Sequence, residues 1–489
     1  MTMSESTPEW SRSLKTPQAI HIVGVGGAGM RAIATVLVAM GHQVSGSDTA
    51  DSEFLGRLRR LGVDAWVGHQ PDRMAAVDVV AISTAVPATD PEVVAATRAG
   101  VPVLRRAEIL AAMTRQRSTI AIAGTHGKTT TSSLLAHTLR HAALDPSFVI
   151  GAELAALGTG AHWGEGEWFV VEADESDSTF LALDRTWSVV TNIEADHLSH
   201  HGTFENLVGA FDRFAIGTTA GVVVCADDPE AAAMAARVGG ITYGTGPDAD
   251  YRVSDVEAST VGARFSVALP SPRQPMVRVP APITIDLPMP GMHNVYNATA
   301  AFVIAVELGV DPDTAAAGLG TFAGVARRFE HRGEKNGVTY IDDYAHLPTE
   351  VMAAIEAARS GPWGRVVTVF QPHRYTRTAE LWQDFTDAFV GVDHLVLTGI
   401  YTAGEASIPG ITGALLAEAV ASAHPTLAMS YLETLDEVEL HLADYLAPGD
   451  LCLTLGAGDL TKMPDRLLGR GHAPANGTAP GSAKALGAS

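Results

Sequence analysis

The chain is predicted to be an α/β protein of three domains, each a mostly parallel sheet with helices on both faces. Three observations carry that prediction. Short apolar runs alternate with helical patterns along nearly the whole chain, two of those runs feed glycine-bearing turns that open helices, and 489 residues exceed one ordinary core. With 46% hydrophobic and 18% charged residues, the composition is globular and supplies several cores. The formal charge of −22 argues against non-specific binding to nucleic acid or anionic lipid. Anionic ligands would have to be held by local basic groups and backbone dipoles.

Residues 1–17 are polar, lack an apolar signal run and read as a mobile lead-in. No stretch of about 18 apolar residues occurs, so the expectation is a soluble cytoplasmic protein without stable membrane contact. Cys225 and Cys452 sit far apart in apolar strand-like runs, as buried thiols of a reducing compartment do.

The first domain, 18–114, begins with AIHIVGVGGAGM and continues through HQVSGSD and VDVVAISTAVP, strands separated by helical stretches. Gly24-x-Gly26-x-x-Gly29 follows a strand and precedes a helix, and Asp48 ends the next strand 19 residues on. That is a Rossmann-like dinucleotide spacing: the glycines allow the turn and close phosphate approach, and the acid suits a ribose hydroxyl. The spacing does not name the nucleotide.

The central domain, 115–325, opens on STIAIAGTHGKTTTSSLLAHTLRHA, a strand, a turn and a helix. Gly124, Thr125, His126, Gly127, Lys128, Thr129 and Thr130 form a P-loop-type turn whose N–H groups, lysine and hydroxyls suit a polyphosphate and its magnesium. The pattern is the shorter G-x-x-G-K-T, because Ile122 stands where the longer P-loop has its first glycine. Lys128 would meet β/γ-phosphate oxygens, and Thr129 would ligate Mg²⁺. EWFVVEADESDS ends in Glu172, Asp174, Glu175 and Asp177, and WSVVTNIEADH ends in Asn192, Glu194, Asp196 and His197. Both clusters should fall near the phosphate loop if their strands are parallel neighbours of its strand. Glu172 suits magnesium; His197, read alone, suits a structural role. Residues 240–290 read as an antiparallel extension, and a helix near Pro288–Gly309 carries His293, Asn294 and Asn297 at its start.

The third domain, 326–469, holds four apolar strands in VTYIDDYAHLP, RVVTVFQPHRYTRT, HLVLTGIY and LCLTLGAGD. Asp343, Tyr344 and His346 end the first, and His373, Arg374 and Arg377 follow the second. These should share one sheet edge, where arginine forks suit a carboxylate or a phosphoryl group. Arg327 and Arg328 lie at the junction with the central domain, where a closing domain could bring them onto a nucleotide. Residues 470–489 are rich in Gly, Ala, Ser and Pro, a disordered composition.

HIVGVGGAGM, GTHGKTTT, EADESD, NIEADH, PMPGMHNVYNA, ARRFE, DDYAH and FQPHRYTRT occur in the order of the Mur ligase family, which the chain resembles from about Ile20 to Met463. The resemblance implies ATP-dependent amide formation in peptidoglycan precursor synthesis, with Mg²⁺ or Mn²⁺. Within the family, the motifs are closest to the branch that adds L-alanine to UDP-N-acetylmuramate. It further implies a UDP-sugar at Gly24, Gly26, Gly27, Gly29, Asp48, Ser83 and Asn192, in place of NAD. ATP would lie at residues 124–130 with Asn294, Asn297, Arg328 and Asp343, the asparagines on adenine edges and Asp343 on the ribose. The metal would lie at Thr129, Glu172 and His197. The amino acid would lie at Tyr344, His346, His373, Arg374 and Arg377, with His346 a candidate proton acceptor. Lys128, His346, Arg374 and Arg377 would be the catalytic set, in a monomer or weak homodimer.

Several relatives carry a carbamylated lysine fourteen residues after the motif histidine; here that position is Phe211, so no carbamate is expected. Leu347 replaces the second histidine of a DDYxHHP pattern, and Ser199 stands where many relatives have an acid. Three alternatives remain. A ligase of the same family could add a preformed peptide to UDP-N-acetylmuramate. The glycine fingerprint with Asp48 also suits an NAD-dependent oxidoreductase, which would leave the GKTT loop and the third domain without purpose. A non-catalytic nucleotide switch would need no separate Arg/His cluster.

Overall fold

In the computed structural model, the described residues are 14–83, 85–154, 157–176, 178–259, 261–270 and 281–470. Asp177, the side chain of Ser199, nearly all of the expected disordered C-terminal stretch and most of the expected lead-in therefore lie outside them. The end of the lead-in is anchored: Leu14 is buried in a hydrophobic core.

Strand order explains where the functional loops meet. The first sheet runs Asp64–Val67, Gln43–Asp48, Ala19–Val23, Val79–Ile82, Val103–Arg105, all parallel. Its order reverses beside Ala19–Val23, so the glycine turn leaves the sheet at its topological switch point. The second sheet has ten strands, with Ser118–Ala123 between Arg185–Val190 and Trp168–Glu172, all three parallel. Alternate residues of Ser118–Ala123 enter different cores: Ile120 and Ile122 pack on one face, Ala121 and Ala123 on the other. A strand covered on both faces has no polar side to show, which is why its sequence reads as an unbroken apolar run.

The expected antiparallel extension is present in Tyr251–Ala258, Ala263–Ala268 and Ile283–Leu287. It joins the sheet through Ile241–Gly244, which is parallel to its neighbours. The third sheet runs Glu330–Lys335, Val338–Asp343, Asp450–Leu455, Arg365–Phe370, His394–Thr398, Met429–Leu432, with only the first strand antiparallel.

Helix starts follow local chemistry. Asp90, Asp228 and Asp311 cap helices whose next residue is proline, each carboxylate accepting from backbone N–H groups of the first turn. Proline's missing N–H costs nothing at that position. The chain divides into two compact units, one up to Ala326 and one from Arg327. The first two sheets share the first unit, with helix Ala28–Ala39 touching strands Ser147–Leu154 and Thr159–His162 of the second sheet. Cys225 and Cys452 are free and buried, and burial raises both thiols to about 11 and about 12. Among the described residues, no helix is long and apolar enough to cross a membrane.

Candidate active site

The phosphate loop is set by two glycines that tolerate no side chain. Gly124 has φ +134°, and a Cβ there would collide with the Thr191 hydroxyl. Gly127 caps helix Lys128–His141 at φ +81°, and its Cβ would run into the Asn297 carboxamide oxygen. The turn after strand Arg185–Val190 pins the loop. Thr125 N donates to Asn192 O (3.1 Å), and His126 N donates to Asn192 Oδ1 (2.8 Å). Thr191 donates to His126 O (2.5 Å), while Glu194 N donates to the Thr125 hydroxyl (2.8 Å). The His126 ring lies 3.1 Å from a Glu194 oxygen. Asn192, expected on the UDP-sugar, is thus placed on the phosphate loop, its amide also donating to His126 O.

Lys128, the first helical residue, turns its ammonium into the loop. Nζ donates to Gly124 O (2.6 Å) and Thr125 O (3.2 Å) and lies 2.8 and 2.9 Å from the two Glu175 oxygens. Burial alone would lower its basicity, but Glu175, Asp174 and Glu172 outweigh that and raise it, so the cation persists. Glu175 is 1% exposed, and burial pushes its carboxyl up against the pull of Lys128. Asp174 is half-buried, and Lys128 and Arg106 hold it well below the usual carboxylate range despite the desolvation. Two carboxylates beside one ammonium therefore differ in proton affinity, and Glu175 is the one that gives way first.

Thr129 donates to Glu172 Oε1 (2.9 Å), and Gly151 N donates to Glu172 Oε2 (2.8 Å). A hydroxyl and a carboxylate side by side at a helix N-terminus are hard oxygen donors of the kind magnesium takes with phosphate and water. His197 is at positive φ (55°), its ring 3.2 Å from Asp196 Oδ2. Thr130 is buried. Asn294 and Asn297, expected on adenine edges, are 3% and 6% exposed with engaged amides. Asn294 donates to Pro290 O (2.7 Å); Asn297 accepts from Thr131 (3.2 Å) and donates to Asn294 (3.3 Å). They brace helix Lys128–His141 from the start of helix Met292–Glu307.

In the first sheet the glycine turn, Asp48 and Ser83 meet. Gly26 N donates to Asp48 Oδ2 (2.8 Å), and a Cβ on Gly24 (φ +76°) would stand 3.2 Å from the Ser83 hydroxyl. Gly27 precedes helix Ala28–Ala39, which leaves that helix's first N–H groups at the turn. Arg106 links this turn to the phosphate loop. Its Nη1 would lie 3.2 Å from a Cβ on Gly29, and its Nη2 donates to Asp174 (2.9 Å). Sequence reasoning passed over Arg106; its signal was a basic residue just past the strand Val103–Arg105.

Phe211 is fully buried, 5.3 Å edge-to-face from Phe180. A carbamate has no place in that aromatic cluster. Turnover measured in bicarbonate-depleted buffer is expected to equal turnover with added bicarbonate.

In the second unit, strands Val338–Asp343 and Arg365–Phe370 flank Asp450–Leu455, so their C-terminal loops share an edge. The His346 and His373 rings stand 5.9 Å apart. His346 Nδ1 faces Tyr344 O (3.0 Å) and a Glu350 oxygen (3.1 Å), two acceptors, which assigns the proton to Nδ1 and leaves Nε2 basic. Arg377 donates to His373 Nδ1 (3.1 Å), and the His373 ring stacks on Tyr401 at 5.6 Å. Arg374 (φ +74°) donates to Glu405 (2.6 Å), and the Arg327 and Arg328 guanidinium groups lie over the Tyr344 ring. Tyr401 and Glu405, missed from sequence, follow strand His394–Thr398, and the rule of ligands at strand C-termini would have found them.

Asp343, expected on the ATP ribose, is engaged by the backbone of its own loop. Its oxygens accept from Phe329 N and Ala345 N, both 2.7 Å, and burial raises it to about 6 against Arg328. It shapes the loop carrying Tyr344 and His346. Leu347 is buried where a second histidine was absent, so it offers no polar group.

His373 carries a pH prediction. Burial first, then His346, Arg377 and Arg374, lower it to about 3. A depressed histidine contributes stability that is complete above its unfolded value near 6.5 and is lost as pH falls toward 3. Urea denaturation of His373→Gln is expected to show a smaller loss of stability between pH 7 and pH 5 than the parent. An unchanged pH slope would contradict this.

Comparisons with known proteins divide the chain into three parts. A model described as Mur ligase family, catalytic domain, matches residues 19–118; Mur ligase middle domain matches 122–305; Mur ligase, glutamate ligase domain, matches 327–458. A protein named UDP-N-acetylmuramate–L-alanine ligase from Brucella anthropi is 42% identical over 448 residues, 91% of this chain and 95% of that protein. Its namesake from Agrobacterium fabrum is 43% identical over 457 residues, 92% and 96%. A solved structure, a UDP-N-acetylmuramate-alanine ligase from Thermotoga maritima, superposes with a TM-score of 0.78 at 28% identity, covering 93% of this chain and 99% of that one.

Proposed function

The chain belongs to the Mur ligase family, and from that premise we propose that it joins L-alanine to the lactyl carboxylate of UDP-N-acetylmuramate, with cleavage of ATP, in peptidoglycan precursor synthesis. The observation that carries this reading is the Gly29–Arg106–Asp174 connection. It sets a nucleotide-diphosphate turn beside an ATP-type phosphate loop within one unit, as a reaction between a UDP-sugar and a γ-phosphate requires. Residues 18–114 take the UDP-sugar, 115–325 take ATP and 326–469 take the amino acid. Cytoplasmic location, as a monomer or weak homodimer, fits those substrates.

A bare carboxylate is a poor electrophile, and carboxylate plus ammonium do not condense readily in water. Activation solves this: a lactyl oxygen attacks the γ-phosphorus, ADP leaves, and an acyl phosphate remains. The amine of alanine then attacks the carbonyl carbon, releasing phosphate and a proton. Lys128 neutralises charge on the transferring group. Because its N–H groups now face two carbonyls and Glu175, phosphate binding requires the Glu175 carboxylate to withdraw or take a proton. The loop N–H groups cradle phosphate oxygens. Mg²⁺, or Mn²⁺ in its place, would be held by Thr129 and Glu172, with His197 a third candidate, and supplies charge neutralisation at the phosphates. Arg374 and Arg377 orient the amino-acid carboxylate or the phosphoryl group, and His346 Nε2 accepts the amine's proton.

The test is product mass. UDP-N-acetylmuramate and ATP incubated with L-alanine, or with a preformed peptide, are expected to give the alanyl product only with alanine. Product from the peptide alone would move the assignment to the peptide-adding branch.

A further inference from the structure

The first sheet carries a second cluster of metal-ligating groups that the ligase chemistry does not use. His69, Asp90 and Glu92 each direct one ligand atom to a common point, all within 4.8 Å of one another. His69 Nδ1 lies 3.5 Å from Asp90 Oδ2 and 3.8 Å from Glu92 Oε2. Donors about 2.1 Å from a tetrahedral ion stand about 3.4 Å apart, so the spacing already approximates a coordination shell.

The carboxylates are prearranged. Asp90 Oδ1 accepts from Glu92 N (2.9 Å) and Val93 N (3.4 Å), which leaves Oδ2 for the cluster. Glu92 Oε1 accepts from Gln70 N (2.8 Å), while Oε2 faces the cluster and accepts from the Ser47 hydroxyl. Asp90 is 9% exposed and Glu92 fully buried, and among the described residues neither has a Lys or Arg within ion-pair distance. Two buried acids without a permanent cation need another positive charge.

An independent observation points the same way. His21 is fully buried in strand Ala19–Val23, and its Nε2 has no hydrogen-bond partner although it lies 3.4 Å from Glu92 Oε2. Its Nδ1 is 2.9 Å from the Ser45 hydroxyl, and its ring stacks on Trp66 at 5.0 Å. In the tautomer whose Nδ1–H donates to Ser45, a lone pair on Nε2 faces a carboxylate oxygen. Two acceptors so placed repel unless a cation stands between them.

We propose that His69, Asp90 and Glu92, with His21 beside Glu92 as a supporting group, form a site for a divalent transition-metal ion of the zinc class, structural in role and separate from the phosphate loop. Mixed imidazole and carboxylate donors favour such ions over magnesium. His69, the partly exposed member, provides the way in.

The test uses the full chain stripped with EDTA, then titrated with Zn²⁺ against a chromophoric chelator in millimolar Mg²⁺. One equivalent is expected to bind, and His69→Asn and Asp90→Asn are each expected to weaken binding at least about tenfold. Zinc should raise the thermal midpoint of the parent and not of either variant. X-ray absorption should show only nitrogen and oxygen neighbours, including imidazole. No saturable uptake, uptake that both variants retain, or sulfur scattering from Cys225 or Cys452 would overturn the proposal.

Discussion

Lys128→Ala is expected to lower kcat at least about a thousandfold, equivalent to about 4 kcal/mol of transition-state stabilisation, while UDP-sugar binding measured by calorimetry stays within about twofold. The ammonium touches the loop carbonyls of Gly124 and Thr125 as well as Glu175, and among the described residues no other Lys or Arg side chain hydrogen-bonds either carbonyl. The substitution has a second consequence. It leaves Glu175 buried without its partner, and stranding a buried charge costs about 3–5 kcal/mol unless the group takes up a proton. Glu175 is the carboxyl that burial already pushes up. Lys128→Ala with Glu175→Gln is therefore expected to recover the lost stability without recovering turnover. Turnover returning with stability would mean that Lys128 acts through folding alone.

Gly127→Ala carries the next largest effect. A left-handed conformation costs a non-glycine residue about 1–2 kcal/mol. The new methyl also meets the Asn297 oxygen at a point where that side chain is held by Thr131 and Asn294. The loop must shift, and ATP affinity is expected to fall at least about tenfold, since phosphate cradling depends on aimed N–H groups. Asn297→Ala in the same chain relieves the collision but not the backbone strain, so affinity should return in part. Equal ATP affinity in Gly127→Ala and the parent would contradict this account of the loop.

How much of this was legible beforehand follows from the range of the interactions involved. The three sheets were readable because strands buried on both faces, such as Ser118–Ala123, leave uninterrupted apolar runs. The meeting of the phosphate loop with Glu172 and Asn192–His197 was readable because parallel neighbours deliver their C-terminal loops to one edge. What each polar side chain does there was less readable. Asn192, Asn294, Asn297 and Asp343 were expected on ligands, yet each is engaged by backbone or neighbouring side chains. Polar residues beside a nucleotide loop must satisfy buried backbone groups as well as ligands, and spacing cannot separate the two tasks. Arg106 escaped because its importance is non-local: it lies 68 positions from Asp174. The buried cluster around Glu92 escaped for the same reason, since His21, His69 and Asp90 come from separate elements.

The most direct measurement of the central claim is ADP release followed continuously while one substrate is omitted at a time. The account predicts ADP formation only with UDP-N-acetylmuramate, L-alanine and ATP all present, with one ADP for each alanyl product. ADP release indifferent to alanine, or hydride transfer to NAD in its place, would contradict it.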